Sequence, residues 1–228
     1  LALAEYRAAS CAIQLQHRDA EQRVERFLER YPEHPLCREA QWDYANFLYR
    51  KRDWKDAAAA FDGLNTLRMK PAQKIEWQFK RGHAYFELEA YDEARLDLFA
   101  VMEAKEASSM FREPARYYFS HISYIKGQPQ VALEGFLSLA EDAALKNVVP
   151  IYIAQLLHET EQYDRLIDYA PVVFSDAIKM KDSQRADISR LVGDALYRKQ
   201  DFQAALPYLE EAYHEARGAG RTREFSYQ

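Results

Sequence analysis

The chain has 228 residues, of which 48% are hydrophobic and 29% charged, a composition typical of a folded protein with a sizeable core. Its net charge of -5 arises from 36 acidic and 31 basic residues that are mixed along the chain, which disfavours nucleic acid as a partner. No apolar run reaches the roughly 18 residues of a membrane-spanning helix, so we expect no membrane insertion.

Apolar residues recur at helical spacing along the chain, and short segments that break this pattern separate them. The pattern predicts six helix pairs, each joined by a short turn that makes its two helices antiparallel. The predicted pairs are 1–16/19–31, 36–51/54–68, 72–88/91–106, 113–126/129–143, 148–160/163–180 and 183–199/202–217. Pro114 and Pro129 lie at predicted helix starts. Pro171 is expected to kink or stop its helix, and Pro207 to distort the last one.

The stretch GHAYFELEAYDEARLDL has a similar counterpart, GDALYRKQDFQAALPYL, placed 111 residues later, which is three times 37. Steps of about 37 residues find further copies of a small residue, an Ala twelve residues later, and a bulky residue four further on. The series is Ala8-Ala20-Val24, Ala45-Ala57-Phe61, Gly82-Ala94-Leu98, Ser120-Ala132-Phe136, Ala154-Leu166-Ala170 and Gly193-Ala205-Leu209. Antiparallel helices approach closely only where small residues face each other, so this spacing predicts a close crossing in every pair. In the fifth pair, Leu166 and Ala170 exchange the small and the large position.

These residues resemble the tetratricopeptide repeat (TPR), and the resemblance covers essentially the whole chain. The matching residues are Gly82, Tyr85, Tyr91-Asp92-Glu93-Ala94 and Leu98, with Trp54 to Ala57, Phe61, Phe202, Ala205, Leu209 and Ala212 in other copies. The resemblance implies an all-α fold, a right-handed superhelical solenoid of about six antiparallel helix pairs, which forms one domain over 1–228. It also implies a non-catalytic protein–protein interaction scaffold that binds a protein or peptide in a concave groove lined by the first helix of each pair.

Aromatic, His, Asn and Arg side chains on those first helices are the predicted groove residues, because such side chains dominate protein recognition. They are Trp42, Asn46, Tyr49, Arg50, Phe79, His83, Phe86, Tyr117, His121, Tyr124, His158, Arg190, Tyr197 and Arg198. An equal alternative is that several of the aromatic residues pack between neighbouring repeats. Some family members hold C-terminal carboxylates with a clamp of Lys, Asn and Arg. Asn46 and Arg50 match fragments of it, but the Lys and the second Asn are missing, so we reject that mode of binding.

No enzyme, metal or cofactor is predicted. The sequence contains no P-loop, no G-x-S-x-G, no HExxH and no pair of histidines four residues apart. His83, His121 and His158 occupy similar positions on successive first helices, but those helices are predicted to lie about 10 Å apart, near the limit for sharing one ion. The positions of Cys11 and Cys37 within their repeats differ by eleven residues, which corresponds to a rise of about 16 Å along a helix. A disulfide needs the two residues much closer, so we predict none.

Both ends of the chain suggest an excerpt from a longer array. The first residues, LALAEYRAAS, read as the middle of a helix, and TREFSYQ at 222–228 reads as the start of a seventh first helix. Uncapped repeats favour self-association. An alternative function is therefore a structural spacer within a longer protein that binds its partners elsewhere. The segment from Tyr117 to Pro171 further resembles long TPR arrays of bacterial envelopes, which favours the periplasm or envelope over the cytoplasm.

Overall fold

A computed structural model describes residues 1–218, and this part contains twelve α-helices, one short 3-10 helix and no strand. The chain divides into two compact units, of which the first is Leu1–Phe119 and the second begins at Ser120. The first unit contains α1 (Ala2–Gln14), α2 (Ala20–Arg30), α3 (Cys37–Lys51), α4 (Trp54–Asp62), α5 (Pro71–Glu87), α6 (Tyr91–Glu103) and most of α7 (Ser109–Ile125). The second contains the rest of α7, α8 (Pro129–Leu137), α9 (Val149–Glu159), α10 (Tyr163–Val173), α11 (Asp182–Arg198) and α12 (Phe202–Gly218). The prediction of an all-α fold of six TPR-like helix pairs is confirmed.

Odd-numbered helices are the first helices of their pairs, and even-numbered helices are the second helices. In the first unit α1 contacts both α2 and α3, and α4 contacts α5. In the second unit α9 contacts α8, α10 and α11. Within each unit, first helices therefore lie beside first helices, which places their side chains on a shared surface.

The crossing of α5 and α6 depends on a glycine. A Cβ atom added at Gly82 would lie 2.9 Å from the Cβ of Asp97 and 3.3 Å from the carbonyl oxygen of Ala94. Ala94 and Leu98 are fully buried at this crossing. The predicted approach of Gly82 to Ala94 is confirmed, because no larger residue than glycine fits between these helices without a shift.

At two crossings in the second unit, a glycine likewise lies where any Cβ atom would be too close to a neighbouring side chain. A Cβ atom at Gly193 would lie 2.7 Å from the side chain of Leu209. One at Gly135 would lie 2.0 Å from the Oγ of Ser120, a residue that is itself fully buried. In the fifth pair, Leu166 and Ala170 are both buried.

The first pair departs from the predicted register by one residue. Ala8 is exposed, whereas Ala9 is 1% exposed and packs with Ala20 in the core of the first unit. The connection between the two helices also differs, because α1 ends at Gln14 and α2 begins only at Ala20, whereas α3 and α4 are separated by two residues. The two buried alanines of this pair are thus eleven residues apart instead of the predicted twelve.

Each turn within a helix pair of residues 1–218 contains one residue in the left-handed conformation, with φ between 49° and 67°. These residues are Gln16, Arg52, Glu89, Gly127, Glu161 and Gln200, and the steps between them are 36, 37, 38, 34 and 39 residues. The N–H that follows bonds back by five residues, as from Asp53 to Leu48 (3.1 Å) and from Ala90 to Tyr85 (2.9 Å). This is the Schellman motif, which satisfies the last carbonyl groups of the first helix and reverses the chain.

Several second helices end earlier than predicted. Helix α4 stops at Asp62, where the indole N–H of Trp77 from α5 donates to the carbonyl oxygen of Phe61 (2.9 Å). Helix α8 stops at Leu137, and the side chain of Asp142 accepts from the backbone N–H of Ala144 (2.8 Å) in the following turns. Helix α10 ends two residues after Pro171, as expected.

Two prolines lie within helices, and one of them, Pro114, departs from its predicted place at a helix start. Helix α7 begins at Ser109 rather than near 113, so Pro114 lies within it, although still early enough that few backbone bonds are lost. Helix α12 continues through Pro207 to Gly218. The predicted seventh first helix at 222–228 lies outside the described residues. None of the helices within residues 1–218 combines the length and the apolar character that a membrane span requires.

Candidate functional site

Rings from three first helices and one second helix meet in the first unit, and we call them the aromatic cluster: Tyr49, Trp54, Phe79, His83, Phe86 and Tyr118. The imidazole of His83 is central, with ring centroids 4.6 Å from Tyr118, 5.3 Å from Trp54 and 5.6 Å from Tyr49. Phe86 also contacts Tyr118, at 4.8 Å. Predicted groove residues on α3 and α5 are thus in direct contact with each other.

His83 links two polar groups in this cluster. Its Nδ1 lies 2.6 Å from the hydroxyl oxygen of Tyr49, and its Nε2 lies 3.3 Å from a carboxylate oxygen of Glu87. A neutral imidazole protonated at Nε2 satisfies both, because Nδ1 then accepts from the tyrosine. Burial lowers the pKa of His83, although Glu87 opposes this shift. Burial raises the pKa of Tyr49 far above its usual range, so both groups are uncharged at neutral pH and act as hydrogen-bond partners.

Lys80 on α5 connects this surface to α3. Its ammonium group donates to the side-chain oxygen of Asn46 and to the carboxylate of Glu76. It also lies 5.9 Å from the ring centroid of Trp42 and 5.8 Å from that of Tyr49. Asn46 is only 7% exposed, so this predicted groove residue acts mainly in bonding two neighbouring first helices.

The aromatic residues of α3 also pack into the core. The rings of Trp42 and Tyr49 each lie 6.2 Å from the fully buried ring of Phe61. Phe79 contacts Phe111 at 5.5 Å. The packing of these aromatic residues is thus observed, because each ring is half-buried and has one side in the core, and their role in a binding groove stays a prediction. Arg50, by contrast, is exposed.

In the second unit, the predicted residues of α7 converge on Tyr152. The ring of His121 lies 5.3 Å from that of Tyr152, and the ring of Tyr124 lies 6.1 Å from it. Tyr152 stacks in turn on the buried Phe136, at 4.9 Å and an interplanar angle of 6°. Burial alone lowers the pKa of His121. Both predicted residues thus border a ring that is anchored in the core.

Four charged or titratable side chains of α9 and α11 line an open pocket of about 340 Å³, which we call the arginine pocket: His158, Arg190, Asp194 and Arg198. The Nε2 of His158 lies 2.8 Å from Asp194, and the Nε of Arg198 donates to the same carboxylate oxygen at 2.7 Å. Partial burial disfavours the ionised form of Asp194, but the bonds to Arg198 and His158 outweigh it and lower its pKa. The carboxylate therefore stays ionised at neutral pH. Tyr197 directly precedes Arg198 in the sequence, and its side chain is 57% exposed.

The sequence did not predict Lys80 and Tyr118 as residues of this surface, because neighbouring first helices contact each other about one turn out of register with the repeat. The bonds from Asn46 to Lys80 and from Tyr49 to His83 each span 34 residues, not the 37 of the repeat. A search at 34 residues would have found Lys80. At α7, the ring that contacts His83 and Phe86 of α5 is that of Tyr118, which directly follows the predicted Tyr117.

Among residues 1–218, no three His, Cys, Asp or Glu side chains are placed to hold a metal ion together. Cys11 and Cys37 are free thiols.

Comparisons with known proteins agree with this geometry. A family model described as tetratricopeptide repeat matches residues 14–74 and 161–220. A comparison with curated proteins found no match. Among solved structures, the chain is similar to MamA AMB-1, with 12% identity over 81% of this chain and 94% of that one, and a TM-score of 0.66.

Two further solved structures are similar at comparable levels. YrrB, described as a TPR protein with an unusual peptide-binding site, has 19% identity over 84% of this chain and 91% of that one, with a TM-score of 0.62. PilF of Pseudomonas aeruginosa has 17% identity over 98% of this chain and 96% of that one, with a TM-score of 0.59. At these identities the similarities establish the fold alone.

Proposed function

Because the chain belongs to the tetratricopeptide repeat family, whose fold serves in general as a protein–protein interaction scaffold, we propose that its first helices bind a segment of a partner protein. The observation that supports this most is the aromatic cluster, in which α3, α5 and α7 contribute half-buried rings to one surface. Rings held in place by the core lose little side-chain entropy when a partner binds, which is why such residues dominate interfaces.

The polar groups around the cluster fit the same role. Tyr49, His83, Asn46 and Lys80 bond to each other across neighbouring helices, so their orientations are fixed before any partner arrives. A preorganised surface binds more tightly than a mobile one of equal area. The peptide-binding site described for YrrB, a protein of similar fold, adds general support. Because the fold serves in general as a non-catalytic interaction scaffold, the proposed role is binding without chemistry.

The test uses capture of partner proteins from a lysate of the source organism. Removal of Trp42 or Tyr49 would also expose Phe61, so the test variant changes exposed first-helix residues instead: Arg50→Glu with Tyr197→Ala. The matched control makes the same changes on second helices, Arg26→Glu with Tyr213→Ala, where Tyr213 is 44% exposed. We expect the test variant to lose roughly tenfold or more of its captured partner, since a hot-spot residue contributes about 2 kcal/mol or more.

The control variant is expected to capture as much as the unchanged chain, with equal helicity by circular dichroism for all three proteins. Equal capture by the test variant would place the binding surface elsewhere.

A structural spacer in a longer array, such as those of bacterial envelopes, is the second candidate. One observation favours it: on α12, Phe202 and Leu206 are 56% and 57% exposed and lie four residues apart on one side of the helix. A following helix pair would cover them, as the repeats of a solenoid cover each other. This candidate predicts that the lysate yields no partner for the unchanged chain, and capture that depends on Arg50 and Tyr197 would contradict it.

A further inference from the structure

We propose that the arginine pocket binds a single carboxylate group, of the kind carried by Asp and Glu side chains. That this carboxylate belongs to the captured segment rests on the proposed function, but the chemistry of the pocket does not. The argument starts from Asp194, whose one carboxylate oxygen is bonded by both His158 and Arg198, at 2.8 Å and 2.7 Å. Arg198 and Asp194 therefore neutralise each other within the pocket.

Arg190 is left without such a partner. It lies on the same face of α11, one turn before Asp194, and it lines the same open pocket. Within residues 1–218 its guanidinium group makes no hydrogen bond and no ion pair, and its side chain is partly buried. A guanidinium group presents several N–H donors in a fixed plane, and a carboxylate satisfies two of them at once.

The charges in the pocket select one negative charge over two. Among the pocket's arginine and aspartate side chains, Arg190 and Arg198 contribute two positive charges and Asp194 one negative charge, which leaves one positive charge to be balanced. The bonds that lower the pKa of Asp194 keep it ionised at neutral pH, so a phosphate dianion would be repelled by it at short range. A carboxylate carries a single negative charge, which balances the pocket, and Asp194 repels it less strongly than it repels a dianion at the same distance.

The test uses small probes on the full chain, so that it is independent of any partner. Backbone amide signals of α11 are followed by NMR while N-acetylglutamate amide is added, with N-acetylglutamine amide as the neutral probe of the same shape. We expect saturable shifts near Arg190 with the glutamate probe and none with the glutamine probe. In the variant Arg190→Gln the glutamate probe is expected to bind about tenfold to a hundredfold more weakly.

The matched control is Arg26→Gln, which makes the same change of charge at an exposed arginine of α2 and is expected to leave the affinity unchanged. N-acetylglycine, which carries a terminal carboxylate, shows whether a chain end serves equally well, and its binding would also support the pocket. Equal shifts with the glutamine probe, equal affinity in Arg190→Gln and Arg26→Gln, or tighter binding of inorganic phosphate would each overturn the proposal.

The two proposals can fail separately. Probe binding without capture of a partner through Arg50 and Tyr197 would leave the pocket standing and remove the proposed function. Capture without probe binding would do the reverse.

Discussion

Gly82→Ala tests whether close contact between α5 and α6 holds the third repeat together. The new Cβ would lie 2.9 Å from the Cβ of Asp97, an atom attached to the backbone of α6, so the two helices must separate slightly. Such overpacking costs about 1–3 kcal/mol. The better helix propensity of alanine offsets about 1 kcal/mol of this, so we expect a net loss of about 0–2 kcal/mol in the free energy of unfolding.

Gly63→Ala is the matched control in the same unit. A Cβ there would meet nothing closer than 3.6 Å, and the φ of Gly63 is -70°, which alanine adopts without strain. This variant is expected to be unchanged or more stable by up to about 1 kcal/mol. Urea denaturation followed by circular dichroism compares the two variants with the unchanged chain. If Gly82→Ala proves as stable as Gly63→Ala, the helices of the third repeat do not depend on a glycine at their crossing.

Three further predictions follow from the same contacts. Gly127 has a φ of +67° and open space around its Cβ position, so Gly127→Ala should lower the free energy of unfolding by about 1 kcal/mol through backbone strain alone. Glu89 has a φ of +59°, so Glu89→Gly should raise it by a similar amount. Urea denaturation measures both changes. Arg81 donates two bonds to the 5% exposed Asp97, at 2.7 Å and 2.8 Å, so Asp97→Ala should cost about 3 kcal/mol, and a preserved urea midpoint would show that the pair is not needed. Because the pKa of His83 is lowered, the unfolded chain binds a proton at this residue more readily than the folded chain, so His83 stabilises the fold above about pH 6.5 and this contribution is lost on acidification. His83→Gln should therefore lose less stability than the unchanged chain when the pH falls from about 7.5 to 5.5. Equal losses in the two proteins would refute the assignment.

The repeat could be predicted from sequence because its physical cause is local. A small residue at each crossing and a turn of nearly constant length recur at about the same interval, so Gly82 and Ala94 are found from spacing alone. The first pair shows the limit of that reasoning. There the buried small residue is Ala9, eleven residues before Ala20, and a search at a fixed spacing of twelve selects the exposed Ala8 instead.

Helix ends and site contacts depend on partners distant in sequence. The end of α4 coincides with a bond from Trp77, which belongs to the next repeat. Lys80 and Tyr118 entered the site because neighbouring first helices are offset by about one turn, a feature of packing rather than of the repeat itself. Residue types therefore gave a candidate surface, which stays a prediction, while the pairs of residues in contact required the structure.

The claim that first helices hold the partner is tested most directly by photo-crosslinking. Benzoylphenylalanine is placed singly at Arg50 on α3 or Tyr197 on α11, and at Arg26 on α2 or Tyr213 on α12 as controls, and each protein is irradiated with the captured partner. All four positions are exposed, so none of the substitutions disturbs the core. We predict a covalent adduct with the partner from positions 50 and 197 and none from 26 and 213. Adducts from the second-helix positions alone would contradict the account.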